Sequence, residues 1–155
     1  MRPKSMCLLV SHRLNSRTTI DQLLRGGTIV LCDRYAFSGL AFSASKGPDL
    51  SYEWCRAPEV GLPAPDITLF LDISPEKARE RGGYGQERYE TEAMQHRVRT
   101  MFDRIGDEMN ADGTTRWIKV DAGCERDAVT QTLWGYIEPV INGVDLPIER
   151  LWTET

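Results

Sequence analysis

Two short stretches of this 155-residue sequence carry the residue types that phosphate chemistry needs. The first is Asp33-Arg34-Tyr35, directly after the apolar run Thr28-Ile29-Val30-Leu31-Cys32. A carboxylate in that position can hold a magnesium ion, usually through water. The neighbouring guanidinium can clamp a phosphate with two parallel hydrogen bonds. A structural ion pair or a helix cap is the other use of the same residues. The second stretch spans residues 79–90, where Gly82, Gly83 and Gly85 break a helix and arginines flank them on both sides. An arginine-bearing lid that closes, excludes water and offsets charge on a moving phosphoryl group has this composition. So does a solvated surface loop.

What is absent also informs. Phosphoryl transfer from ATP commonly uses a glycine-rich loop ending in Gly-Lys-Ser/Thr. The four lysines, Lys4, Lys46, Lys77 and Lys119, none of them following a glycine, leave no such loop in residues 1–155. The four cysteines, Cys7, Cys32, Cys55 and Cys124, include no CxxC pair, and neither His12 nor His96 completes a ligand set. A zinc site is therefore not expected, and the thiols read as reduced, which points to an intracellular protein.

The elements that must position these residues alternate between strand and helix patterns. Thr28-Ile29-Val30-Leu31-Cys32, Ile67-Thr68-Leu69-Phe70-Leu71 and Trp117-Ile118-Lys119-Val120 read as strands, followed by Asp33, Asp72 and Asp121. Met94, Val98, Met101, Phe102, Ile105 and Met109 lie on one helical face, and Ala128, Val129, Leu133, Tyr136, Ile137 and Val140 on another. Ser74-Pro75 reads as an N-cap with proline at the first helical position. Thr19-x-x-Gln22 reads as a capping box for a short helix through Leu23 and Leu24. Strands separated by helices imply a parallel sheet with helices on both faces, whose ligands bind beyond the carboxyl ends of the strands. The three strand-end aspartates are therefore the first places to look.

Composition bounds the rest. The net charge is −4, 41% of residues are hydrophobic and 27% charged, as in a folded globular chain. One domain over residues 1–155 is expected, burying roughly 68–70% of its unfolded surface. No apolar run approaches the ~20 residues a membrane helix needs, so no membrane role is expected. The acidity argues against nucleic acid as a partner. Residues 1–34 hold six basic and two acidic groups, and the first 20 hold no acid, a composition similar to an organelle transit peptide. The competing reading makes this stretch part of a folded helix.

The segment Asp33-Arg34-Tyr35-Ala36-Phe37-Ser38-Gly39-Leu40-Ala41-Phe42-Ser43 resembles the substrate-binding segment of thymidylate kinases of the eukaryotic type. So do Glu53-Trp54-Cys55, Gly61-Leu62-Pro63-Ala64-Pro65-Asp66 and Gly85-Gln86-Glu87-Arg88-Tyr89-Glu90, in the same order and spacing. The resemblance runs from Gly26 to Ile141, residues 1–25 matching poorly. It implies an α/β fold, a P-loop-kinase-like parallel sheet with flanking helices, N-terminally truncated, with about three strands remaining.

It further implies phosphoryl transfer from MgATP to dTMP, giving dTDP. By the same resemblance Asp33 stands near the metal and its waters, and Arg34 grips the dTMP phosphate. Ser38, Gly39 and Phe42 line the nucleoside pocket, and Arg13 contacts the thymine. Tyr89 and Gln95 lie near the deoxyribose, Tyr89 leaving a 2′-hydroxyl no room. Arg81 packs on the adenine of ATP. The expected partners are dTMP and a second subunit, in a homodimer or mixed dimer, in the cytoplasm or nucleus, with mitochondria the alternative if the transit-peptide reading holds. In the family a P-loop strand lies between the strands matching 28–33 and 67–72. Without it, two strand edges face each other, and the sheet either closes or stays open. The chain is then expected to lack activity alone, ATP binding being doubtful. A non-catalytic nucleotide-binding module, a dimer partner and a gene-model fragment are the alternatives.

Overall fold

Local chemistry sets most of the element boundaries in the computed structural model, which describes residues 5–10, 16–81, 91–141, 143 and 147–153. In chain order it contains β1 (Ser5–Val10), α1 (Ser16–Arg25), β2 (Thr28–Asp33), α2 (Ala36–Ala44) and α3 (Tyr52–Arg56). There follow β3 (Ile67–Asp72), α4 (Pro75–Glu80), α5 (Glu92–Asp112), β4 (Arg116–Asp121) and α6 (Arg126–Ile141). Ser74 caps α4 as its sequence suggests, its Oγ accepting from the Lys77 N–H at 3.3 Å with Pro75 at the first helical position. Thr91 caps α5 in the same way, accepting from the Met94 N–H. That helix stops at Gly113, whose left-handed φ of 71° few other residues adopt. Thr19-x-x-Gln22 does not start a helix: α1 begins three residues earlier, so Thr19 lies inside it. A capping-box pattern cannot be told from two polar residues on a helix flank without knowing where the backbone turns in.

The strands pair in parallel, β1 with β2 from Ser5 opposite Thr28 to Val10 opposite Asp33. β3 pairs with β4 from Ile67 opposite Arg116 to Asp72 opposite Asp121. The fourth strand corrects the count of about three. Ser-Met-Cys-Leu-Leu-Val is short and sits in a basic, acid-free stretch, so composition masks a strand that backbone pairing reveals. No strand pairing joins β2 to β3 among the described residues, which leaves two separate two-stranded sheets. Of the two outcomes expected for these strands, the described residues show the open one. The consequence is visible in exposure: Leu31 on β2 and Leu71 on β3 are each 49% exposed, although both strands have the apolar composition of buried parallel strands.

The core lies where α5 crosses α2 and β4. Leu40, Ile105, Met109 and Leu151 are fully buried. Phe70 stacks on Phe102 with ring centroids 4.6 Å apart, and Phe37 meets Trp117 edge-on at 5.2 Å. Burying such rings contributes most of the favourable free energy in a core of this size. The predicted apolar face of α5 is the one that packs. α6 is less committed: Ala128 is exposed, and Val129, Leu133, Tyr136, Ile137 and Val140 are half-buried. Lys119 of β4 bridges Asp72 at 3.2 Å and Asp103 at 2.8 Å, tying β3, β4 and α5 together.

Candidate functional site

β2 carries its chain straight into the first candidate site. Asp33 ends the strand, Arg34 turns it with a left-handed φ of 64°, and Tyr35 is the extended residue before α2. A left-handed backbone costs a non-glycine residue about 1–3 kcal/mol and persists only where the surroundings hold it. Those surroundings are explicit. The Tyr35 hydroxyl donates to the Pro63 carbonyl at 3.1 Å, and burial pushes its pKa well above the usual phenol range. Ala36 and Phe37 are buried immediately afterwards. Asp33 and Arg34 are both exposed, and neither side chain makes a hydrogen bond or ion pair with another described residue. The alternative of a structural ion pair is thus not what the described residues use them for.

The other strand-end aspartates are occupied. Asp72 accepts Arg99 at 2.6 Å on Oδ1 and Lys119 at 3.2 Å on Oδ2, and Arg99 also donates to the Ile73 carbonyl. Asp121 caps its own turn, accepting the Gly123 N–H at 2.7 Å, and this hydrogen bond holds its carboxyl below the usual range. The three acids look equivalent in sequence. Asp72 is set apart by partners from α5 and β4, and Asp121 by the turn that follows it.

Ser38 and Phe42 stand one turn apart on α2 and are half-buried, while Phe37, Leu40 and Ala41 are buried. Gly39 is half-buried between them. Gln95 lies in the first turn of α5, half-buried, on the helix that packs against α2. The Arg97 Nε–H donates to the Ser45 carbonyl at 2.9 Å and fixes the end of α2 to α5. The structure therefore brings Asp33, Arg34, Ser38, Gly39 and Phe42 onto one strand-to-helix junction, with Gln95 on the adjoining helix. Arg81 is placed elsewhere. It caps α4 and donates to the Cys124 carbonyl at 2.8 Å, beside Lys77, which donates to the Gly123 carbonyl at 2.9 Å. These contacts fix it at the carboxyl end of β4. Arg13, Tyr89 and the glycine-rich stretch 82–90 lie outside the described residues.

Sequence reasoning missed the supports of the junction. Residues 147–153 return to the Gly-Leu-Pro loop, where Arg150 pairs with Pro63. Trp152 packs edge-on against Phe37 at 5.7 Å. Ile148, Leu151 and Trp152 were the available signal, but an apolar triplet near a chain end does not say what it covers.

Comparison with known proteins gives the family. The sequence profile of the family described as "Thymidylate kinase" matches residues 2–133. The zebrafish thymidylate kinase is 38% identical over 146 residues, which covers 94% of this chain and 66% of that protein. The Arabidopsis thaliana thymidylate kinase is 50% identical over 100 residues, covering 64% of this chain and 37% of that protein. The chain thus spans from about a third to two thirds of these relatives. The solved structure of the thymidylate kinase from Candida albicans superposes with a TM-score of 0.74 at 32% identity, covering 89% of this chain and 68% of that one. A shared profile over most of the sequence and a shared fold place this chain in the thymidylate kinase family.

Proposed function

We propose that the junction at Asp33-Arg34-Tyr35 binds the monophosphate substrate of the family reaction, dTMP, whose phosphate Arg34 grips. The observation that carries this reading is the Asp33/Arg34 pair, whose side chains have no partner among the described residues, with Arg34 held in a left-handed backbone at the start of α2. Exposed charges cost little to leave unpaired, but a strained backbone supporting one of them is retained for a ligand more readily than for packing. Ser38, Gly39 and Phe42 follow on the same helix and would line the nucleoside side. The Asp33 carboxylate has no side-chain partner among the described residues, which fits a magnesium ion held through water and substrate phosphates. Such an ion, when bound, supplies charge neutralisation to the transferring phosphoryl group.

In the same reading, phosphoryl transfer from MgATP to dTMP is the reaction of the whole enzyme, and residues 1–155 alone perform it poorly. Backbone amides and a lysine that cradle the triphosphate supply much of the stabilisation in this chemistry. No lysine here follows a glycine, and β2 and β3 remain unjoined. Cys32, Cys55 and Cys124 form no disulfide among the described residues, which agrees with a reducing, intracellular setting. No described helix is long and apolar enough to cross a membrane.

The test is calorimetric titration of the purified chain with dTMP. Removing a charge-assisted contact of about 1.5–3 kcal/mol should weaken binding by roughly 10–150-fold in Arg34→Ala. Unchanged affinity in that variant would exclude the phosphate role. Robust dTMP-dependent ADP release by the chain alone would overturn the activity part of the reading.

A further inference from the structure

We propose that residues 149–152 form a strap that holds the segment 33–38 in its phosphate-gripping shape, with Trp152 as the positioning residue. The proposal rests on the dTMP reading of that segment. The strap lies antiparallel on the Gly-Leu-Pro loop through three backbone hydrogen bonds. The Gly61 N–H donates to the Leu151 carbonyl at 2.8 Å, the Leu151 N–H to the Leu62 carbonyl at 2.9 Å, and the Ala64 N–H to the Glu149 carbonyl at 2.9 Å. Pro63 sits within this clamp, and its carbonyl is the one that receives the Tyr35 hydroxyl. One end of the strap therefore fixes the residue after Arg34 through a single intermediate.

The second contact is direct. Leu151 is fully buried in the same cluster as Ala36, Phe37 and Leu40, and the Trp152 ring meets Phe37 edge-on at 5.7 Å. Arg150 anchors the strap to α1, the helix leading into β2, by a forked pair with Asp21 at 2.9 and 3.0 Å. No hydrogen bond or ion pair joins the Arg34 side chain to the strap among the described residues. Its left-handed backbone is held between β2 on one side and Tyr35 and Phe37 on the other, and the strap is what clamps Tyr35 and Phe37. A strained conformation relaxes when one of its restraints is removed. Loosening Trp152 should thus disorder the turn at Arg34 before it disturbs the α5–β4 core.

The test uses the full chain with Trp152→Ala and Trp152→Phe, the latter keeping a ring and losing an Nε1–H that has no partner among the described residues. Amide hydrogen exchange in the unliganded chain should accelerate more than about tenfold at 35–38 in Trp152→Ala. The Ser38 amide, which donates to the Tyr35 carbonyl at 3.1 Å, reports it, while amides of α5 keep their rates. Trp152→Phe should restore most of the protection. No change at 35–38, or equal acceleration everywhere, overturns the proposal.

Titration with dTMP and with thymidine separates positioning from simple loss of folded protein. Trp152→Ala should weaken dTMP about tenfold, a loss of about 1.4 kcal/mol, and thymidine much less, so that their affinity ratio moves toward that of Arg34→Ala. Partial unfolding would scale both affinities alike and leave the ratio unchanged, which would also overturn it. If the parent chain binds neither ligand, the dTMP reading fails, and the exchange pattern alone decides whether the strap holds the turn.

Discussion

A glycine in the middle of a long helix should be improved by alanine, and at position 106 the structure says the opposite. Gly106 lies inside α5, where local propensity favours alanine by about 0.8–1 kcal/mol. A Cβ there would stand 2.6 Å from Trp117 Nε1 and 2.7 Å from Cδ1, so reaching the 3.4 Å of ordinary contact needs a shift of roughly 0.8 Å. The indole cannot withdraw easily. It is 9% exposed, with Phe37, Phe70 and Phe102 centred 5.2, 6.0 and 6.4 Å from it. Overpacking of this kind costs about 1–3 kcal/mol, and a clash with a rigid ring belongs in the upper part of that range. The net for Gly106→Ala is a loss of about 1–2 kcal/mol, or roughly 2–8 °C in Tm for a domain of this size. Gly135 provides the control. It lies in α6, exposed, with open space where a Cβ would go, so Gly135→Ala should gain about 0.8–1 kcal/mol. Thermal and urea unfolding followed by circular dichroism measure both, a shift in midpoint at constant slope marking a true change in stability. A Gly106→Ala variant as stable as the parent would refute the packing of α5 on β4 described above.

Other expectations follow from the site and its supports. Asp72→Ala takes one partner each from Arg99 and Lys119 and should lower stability by about 1 kcal/mol without weakening dTMP, whereas Asp33→Ala should change stability by less than about 0.5 kcal/mol; urea titration and calorimetry together read both. Tyr35 and Tyr52 have raised pKa values, Tyr35 from burial and Tyr52 from burial together with its hydrogen bond to Glu108. The folded state therefore resists forming the phenolates. The stability they confer is complete below the unfolded pKa near 10 and falls as pH rises above it, and Tyr35→Phe should flatten part of that decline in unfolding experiments between pH 9 and 11. An alkaline profile identical in parent and variant would contradict the burial of that hydroxyl. Lys119, raised chiefly by its hydrogen bond to Asp103, acts in the same direction: its contribution is present below about pH 10.5 and is lost above it, so Lys119→Met should remove some of the same slope.

The open edges between β2 and β3 matter for how the chain behaves in solution. Unpaired strand edges with apolar side chains recruit other chains. Leu31 on β2 and Leu71 on β3 add exposed apolar side chains to these strands. Charged replacements at these two positions are a practical route to material for the titrations.

Periodicity and punctuation in the sequence determined three of the four strands, the apolar face of α5, the Ser74 cap and the acid-base pair at the end of β2. Each of these depends on neighbours within a few residues, where the type of a residue limits the backbone directly. Distant contacts decided the rest. Asp72 resembles Asp33 until Arg99 and Lys119 claim it. Gly106 looks like an ordinary helix-weakening residue until Trp117 fills the space above it. The final apolar residues have no evident purpose until Leu151 and Trp152 close over Phe37. A linear pattern records which face of an element is apolar but not which element meets it, because that choice is made by burial and charge pairing between parts of the chain far apart in sequence.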